Sequence, residues 1–216
     1  MADQVVCGVD EAGRGCVVGP LVISAFLCRR RDAGLLREMG VADSKSLSRR
    51  RRVELYRLLE ESFRFEVVLV EPRRISVSLR ASGGMGLNEL EYLLVAGLID
   101  RLNPSRVYVD SPDRNVRRAR LRILNHLKRR ADVRCMVRGD KTNIFVSAAS
   151  VVAKVVRDRE VDKLKSVLGD FGSGYPSDPK TRRWLAQNLD STDVHGFVRL
   201  GWKTIDKLRQ TSLDEF

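Results

Sequence analysis

Apolar residues in this chain fall into short unbroken runs separated by stretches of helical spacing. Val5 to Asp10 (VVCGVD) is a compact apolar run closed by an acid and reads as a buried strand. Val17 to Cys28 is a longer run interrupted by Gly19-Pro20, which predicts a second strand with a bulge or bend. Gly13 to Gly15 supply a turn between the two, so a hairpin is expected. Ser48 caps a predicted helix reaching about Ser62, with Leu55, Leu58, Leu59 and Phe63 on its apolar face. Further strands are predicted at Phe65 to Val70, Arg106 to Asp110 and Asp132 to Val137. Helices are predicted at Leu87 to Leu102, about Asn115 to Arg130, and Ile144 to about Val167. The last of these begins with small residues, Ser147 to Ser150 and Ala153, which let a helix lie close to a sheet or a ligand. Past Gly169 the pattern changes to FGSGYPSDPK, followed by helical segments at Thr181 to Asn188 and Trp202 to Leu208 and a polar tail.

Strands with little helix between the first two, then strand–helix alternation, predict an α/β fold: a mixed sheet flanked by helices on both faces. The expected organisation is a catalytic domain over 1–168, a small helical segment over 169–209 packing on it, and a free tail over 210–216.

Composition narrows the partner. The 216 residues hold 40 Lys and Arg against 28 Asp and Glu, a formal net charge of +12. A surplus of that size suggests a polyanion, with nucleic acid first and an anionic membrane surface second. Ten Lys or Arg between Arg114 and Arg138 form a stripe suited to phosphates, or else a solvated helix face. Arg49 to Arg52 stand at a predicted helix N-terminus, where positive charge opposes the helix dipole. No apolar run approaches the ~18 residues of a spanning helix, and no secretory signal is visible. The four cysteines form no CxxC pair and read as buried small hydrophobes in a cytoplasmic protein.

Three predicted strands end at or near an acid: Asp10, with Glu11 next to it, Asp110, and Asp140 shortly after the run DVRCMVRG. Sites in open α/β sheets form outside the carboxyl ends of strands. Clustered carboxylates repel one another unless a cation intervenes, and Mg²⁺ favours such hard oxygen ligands together with phosphate oxygens. Taken singly, each acid is more readily a turn former or a helix cap; three at three strand ends, with Glu11, favour the site. His126 and His195 lack the partners of a catalytic triad. GVDEAGRG lacks the GK[ST] ending of a P-loop.

The order of motifs resembles type 2 ribonucleases H of the archaeal and eukaryotic branch. GVDEAGRG at Gly8 to Gly15, VVGPLV, DSKSLS from Asp43, LNELE from Leu87, VYVDSP from Val107, SAASVVAKVVRD from Ser147, GSGYPSDPKT from Gly172 and GWKT from Gly201 carry the resemblance over residues 5 to 205. It implies a ribonuclease H-like five-stranded mixed sheet with a C-terminal helical segment. It implies Asp10, Glu11, Asp110 and Asp140 as catalytic ligands of Mg²⁺ or Mn²⁺. Gly13, Arg14 and Gly15 are then the turn whose backbone senses the ribose 2′-hydroxyl, Tyr175 stacks on the following sugar, and Lys45, Asn88 and Ser147 contact the nucleic-acid backbone. The implied reaction is hydrolysis of RNA in RNA–DNA hybrids and cleavage 5′ to ribonucleotides in duplex DNA, leaving 3′-hydroxyl and 5′-phosphate ends.

Two departures stand out. Cys16 occupies the position where the family has proline, and DKTNIFV (Asp140 to Val146) replaces a segment that usually reads like DAKYPVV. Gln210, Leu213 and Phe216 follow the Q-x-x-L-x-x-F pattern of sliding-clamp ligands, which implies a clamp partner for a monomeric enzyme; the competing role for the tail is folding back on its own domain. Two other functions fit the same residues less fully: a non-catalytic basic nucleic-acid binder, and a nuclease of the same superfold that cuts DNA junctions.

Overall fold

A computed structural model describes residues 4–41, 47–79 and 83–206. The sheet has five strands, β1 (Val5–Ala12), β2 (Leu21–Arg29), β3 (Arg64–Val70), β4 (Arg106–Asp110) and β5 (Asp132–Met136), in the order β3-β2-β1-β4-β5. β1 pairs antiparallel with β2 and parallel with β4, and β4 pairs parallel with β5. The sheet is therefore mixed. Its first two strands are buried almost throughout, as strands covered on both faces must be.

The helices are α1 (Ala33–Glu38), α2 (Arg49–Ser62), α3 (Pro72–Ser78), α4 (Leu87–Leu102), α5 (Val116–His126), α6 (Gly139–Thr142), α7 (Ile144–Leu168) and α8 (Pro179–Asn188). Side chains alternate between the two faces of β1. Val6, Gly8 and Asp10 face α7, and Val6 joins a core with Phe26, Leu55, Leu59, Ala148 and Val152. Gly8 is obligatory there: a Cβ would lie 2.0 Å from the Phe145 carbonyl oxygen, so strand and helix touch backbone to backbone. The small residues at the start of α7 permit this approach, and Ala148, Ala149 and Ala153 are fully buried.

The packing groups the described residues into two compact units that are not consecutive stretches. One comprises 4–12, 22–41, 47–68 and 88–156, and holds the sheet; the other comprises 13–21, 69–79, 83–87 and 157–206. The second has its own core of Val17, Val18, Val161, Phe171, Leu185 and Val198.

Differences from the predicted elements have local causes. β2 starts at Leu21 rather than Val17, because Gly19 has φ +89 and Pro20 lacks an N–H for the ladder. Val18 instead forms an antiparallel bridge with Val198. α5 ends at His126 rather than near Arg130, because the Asp100 carboxylate accepts the N–H groups of Lys128 and Arg129. β5 ends at Met136, and the backbone turns through left-handed Arg138 (φ 58) into α6. The short α1 and α3 have too few turns to show a period in the sequence.

Candidate active site

Parallel pairing sets Val9 opposite Val109, so the next residues, Asp10 within β1 and Asp110 at the end of β4, stand at the same level. Asp140 arrives by a different route. Gly139 donates its N–H to Asp110 Oδ1 at 3.0 Å, which ties the α6 turn to the end of β4. A Cβ on Gly139 would meet the Met136 side chain at 2.8 Å, which would have to shift to admit it. Ser147 donates its hydroxyl to the Asp140 main-chain oxygen at 2.6 Å and so anchors the first turn of α7 to the same loop. The result is one group of oxygens from Asp10, Asp110 and Asp140, all within 4.8 Å of one another.

Asp10 is 5 % exposed and Asp140 2 %. Burial pushes the Asp10 carboxyl up to about 7; a hydrogen bond from Ser150 opposes the rise, and the negative charge of Asp110 adds to it. Lys154, one turn beyond Ser150 on α7, donates to the Ser150 hydroxyl at 2.8 Å and places positive charge behind Asp10. The sequence marks this helix for its small residues and for Ser147, and not for Ser150 or Lys154. The i, i+4 pair Ser150 and Lys154 inside SAASVVAK was the available signal.

Glu11 lies outside the three-acid group, and strand geometry explains why. As the residue after Asp10 it points to the opposite face of β1. There it lines a small cavity with Val9, Glu91, Tyr92, Asp110 and Ser111. Asp110 thus belongs both to the three-acid group and to the cavity holding Glu11. Glu91, buried on α4, is a further acid that sequence reading passed over. Asn88 is partly exposed in the first turn of α4. Lys45 lies outside the described residues, as do Gln210, Leu213 and Phe216.

The second unit holds Gly13, Arg14, Gly15 and Tyr175. The turn closes with Cys16 N–H donating to the Gly13 oxygen at 3.2 Å. Gly13 has φ +80, and a Cβ there would approach the Pro20 oxygen to 2.7 Å. Gly15 differs: a Cβ would make only ordinary contact with the Tyr175 ring, at 3.6 Å. The Arg157 guanidinium lies 5.2 Å from the centre of the Tyr175 ring and donates to the Ser173 oxygen and to Cys16 Sγ. Burial, with the Cys16 thiol beside it, pushes the Tyr175 hydroxyl up to about 12.

Part of the basic stripe serves the fold. Arg118 pairs with Asp113, Arg122 and His126 pair with Glu89, and Arg120 donates to the Val133 oxygen. At the start of α2, Arg50 and Arg51 pair with Glu54, and Arg52 donates to the Leu47 oxygen. No helix of the described residues is long and apolar enough to cross a membrane.

A mixed five-stranded sheet that sets Asp10 on β1 beside Asp110 at the end of β4, with Asp140 against both, is the arrangement of the ribonuclease H class. Comparison with known proteins makes the class specific. The family model described as Ribonuclease HII matches residues 7–205. Ribonuclease HII of Archaeoglobus fulgidus is 41% identical over 97% of this chain and 98% of its own length. The crystal structure of ribonuclease H2 from Pyrococcus horikoshii superposes with a TM-score of 0.84 at 39% identity, covering 96% of this chain and 98% of that one. The Archaeoglobus fulgidus enzyme, solved in a complex with PCNA, gives a TM-score of 0.85 at 41% identity, covering 98% and 100%. The chain belongs to the ribonuclease HII family. It is a ribonuclease H, an endonuclease acting on RNA–DNA hybrids, and its family requires a divalent metal.

Proposed function

We propose that this protein cuts on the 5′ side of ribonucleotides, both in RNA–DNA hybrids and singly embedded in duplex DNA, with two divalent ions at Asp10, Glu11, Asp110 and Asp140. The observation that carries this reading is the three-acid group, with Asp110 also lining the cavity of Glu11. The donor set is entirely carboxylate oxygen, which suits Mg²⁺ or Mn²⁺ rather than a softer ion. Asp10, held up to about 7 by burial with the Asp110 charge adding to it, is a carboxylate whose charge a cation would stabilise. Asp10, Asp110 and Asp140 would hold one ion; Glu11 with Asp110 would hold the other. Ions bound there supply an activated water and neutralise the charge that develops on the departing 3′ oxygen.

The chain's own groups do the rest. Ser150 orients the Asp10 carboxylate by a hydrogen bond, and Lys154 balances its charge. Gly139 orients Asp110 through its N–H. The turn Gly13 to Gly15 offers main-chain groups to the ribose 2′-hydroxyl, the feature that separates RNA from DNA at one position. Tyr175 offers a ring face to the adjoining sugar.

A duplex carrying one ribonucleotide, incubated with Mg²⁺ and then with chelator, tests the reading. Expected are metal-dependent cuts 5′ to the ribonucleotide with 3′-hydroxyl and 5′-phosphate ends, and no cutting of an all-DNA control. Asp10→Asn should slow cleavage by about a thousandfold or more while sparing duplex affinity. Binding without cleavage, or equal cutting of the DNA control, would sink it.

A clamp partner follows from the tail motif at Gln210, Leu213 and Phe216 together with the PCNA complex of the Archaeoglobus relative. Deleting residues 210–216 should abolish binding to a sliding clamp and leave cleavage of a free oligonucleotide duplex unchanged. Undiminished clamp affinity in the truncated protein would refute the motif's role.

A further inference from the structure

We infer that Arg199 is a positioning residue for ribonucleotide recognition, acting by fixing the direction of the Gly13–Gly15 main chain. The inference rests on the proposed reading of that turn as the sensor of the 2′-hydroxyl.

Arg199 is a charged side chain with 0 % exposure, and it is among the largest fully buried side chains of the described residues. Burying a guanidinium is costly unless its donors are matched. Here they meet main-chain oxygens of one short segment. Nη2 donates to Gly13 O at 2.7 Å, Nη1 to Arg14 O at 2.7 Å, and Nε and Nη2 to Gly19 O at 3.2 and 3.1 Å. The guanidinium is brought there by backbone pairing. Residues 197–199 run beside 17–19, with Arg199 N–H donating to Val17 O, Gly19 N–H to Phe197 O, and Val18 bridged to Val198. Trp202 lies against the guanidinium, its ring centre 5.8 Å away.

The consequence for the turn follows from peptide geometry. The Gly13 carbonyl and the Arg14 N–H belong to one planar unit, as do the Arg14 carbonyl and the Gly15 N–H. No cis peptide bond occurs among the described residues, and in a trans unit the two groups point in opposite directions. A buried cation that draws both carbonyls inward therefore turns both N–H groups away from itself, to the side from which a ribose hydroxyl could be met. The turn's own bond from Cys16 N–H reaches the Gly13 oxygen, and Arg199 adds to that hold and extends it to the Arg14 oxygen. Only arginine's planar fork spans three acceptors; a lysine ammonium offers its protons from one point.

The test is the ratio of affinities for a duplex with one ribonucleotide and for its all-DNA counterpart, measured in chelator so that nothing is cut. The wild-type protein should prefer the ribonucleotide duplex. Arg199→Lys should lower that preference about fivefold, the worth of one misaligned hydrogen bond, while affinity for the DNA duplex stays within twofold. A purely structural role would lower the melting temperature and move both affinities together. Trp202→Leu leaves every Arg199 donor in place and removes only the ring, so it serves if Arg199→Lys does not fold; it should lower the preference roughly threefold. An undiminished preference in the folded lysine variant, or in the Trp202 variant should the lysine one not fold, overturns the inference alone. A wild-type protein that binds both duplexes equally overturns the reading of the turn and the inference with it.

Discussion

At the scale of single residues, the two glycines of the turn separate what the fold demands from what a ligand demands. Gly13 is fixed by its own backbone, with a positive φ and the Pro20 oxygen where a Cβ would go. Gly15 has an ordinary φ and room for a methyl group beside Tyr175, so nothing within its own unit requires glycine. Gly15→Ala should leave the melting temperature unchanged and slow cleavage of a ribonucleotide duplex by about tenfold or more, because the added methyl occupies the space a sugar would enter. Gly13→Ala should lower both stability, by about 1–3 kcal/mol, and cleavage. Calorimetry beside a cleavage assay checks the pair, and equal stability losses would refute the distinction. Both glycines were legible as a turn in the sequence. Which one served the fold was not, because φ and the position of the Pro20 oxygen belong to three dimensions.

At the scale of elements, local signals decided how much could be read ahead. Ser48 as the cap of α2, the full span of α4 and the five residues of β4 follow from capping and periodicity alone. Asp110 at the end of β4 was legible for the same reason, whereas the strand expected to end at Asp10 runs on to Ala12. Asp140 was harder, since its approach depends on left-handed Arg138 and on the Gly139 N–H reaching Asp110. The opposed directions of Asp10 and Glu11 were implicit in strand geometry, though only pairing on both sides of β1 makes the two faces different places. The loop before α8 gives a further test. Asp178 caps α8 and accepts the N–H groups of Ser173 and Lys180, and these bonds, that of Ser173 foremost, hold its carboxyl down to about 2. A depressed value means stability that is present above the ordinary value of 3.8 and lost as pH falls through about 2. Asparagine resembles the protonated acid, so wild type should melt above Asp178→Asn at neutral pH, and the gap should close between pH 4 and 2. A gap independent of pH would show that the carboxylate charge is not what holds this loop.

At the scale of the whole molecule, an acidic centre sits in a protein of net charge +12. Arg118, Arg122 and Arg120 of the stripe are already engaged with Asp113, Glu89 and the Val133 oxygen, so the count of basic residues overstates the number that reach phosphates. Duplex affinity should still fall steeply with salt. About six neutralised phosphates would cost roughly a thousandfold between about 50 and 200 mM. Titration with labelled duplex at several salt concentrations gives the slope, and a flat dependence would show that the surplus charge is not used for nucleic acid. The sequence revealed the charge balance; which arginines are engaged inside the fold appears only when α4, α5 and β5 are brought together.

The placement of β1 between β2 and β4 also bears on what changes the chain can tolerate. Inserting one amino acid ahead of Asp10 within this strand would exchange the sides taken by the two adjoining acids, sending the aspartate toward α4 and the glutamate toward Ser150. The residues beyond the insertion would also slip by one against both neighbours, β2 and β4, unless a bulge took up the extra residue. Length in this stretch is therefore held as tightly as residue identity, and variation in the number of residues belongs in the connections instead.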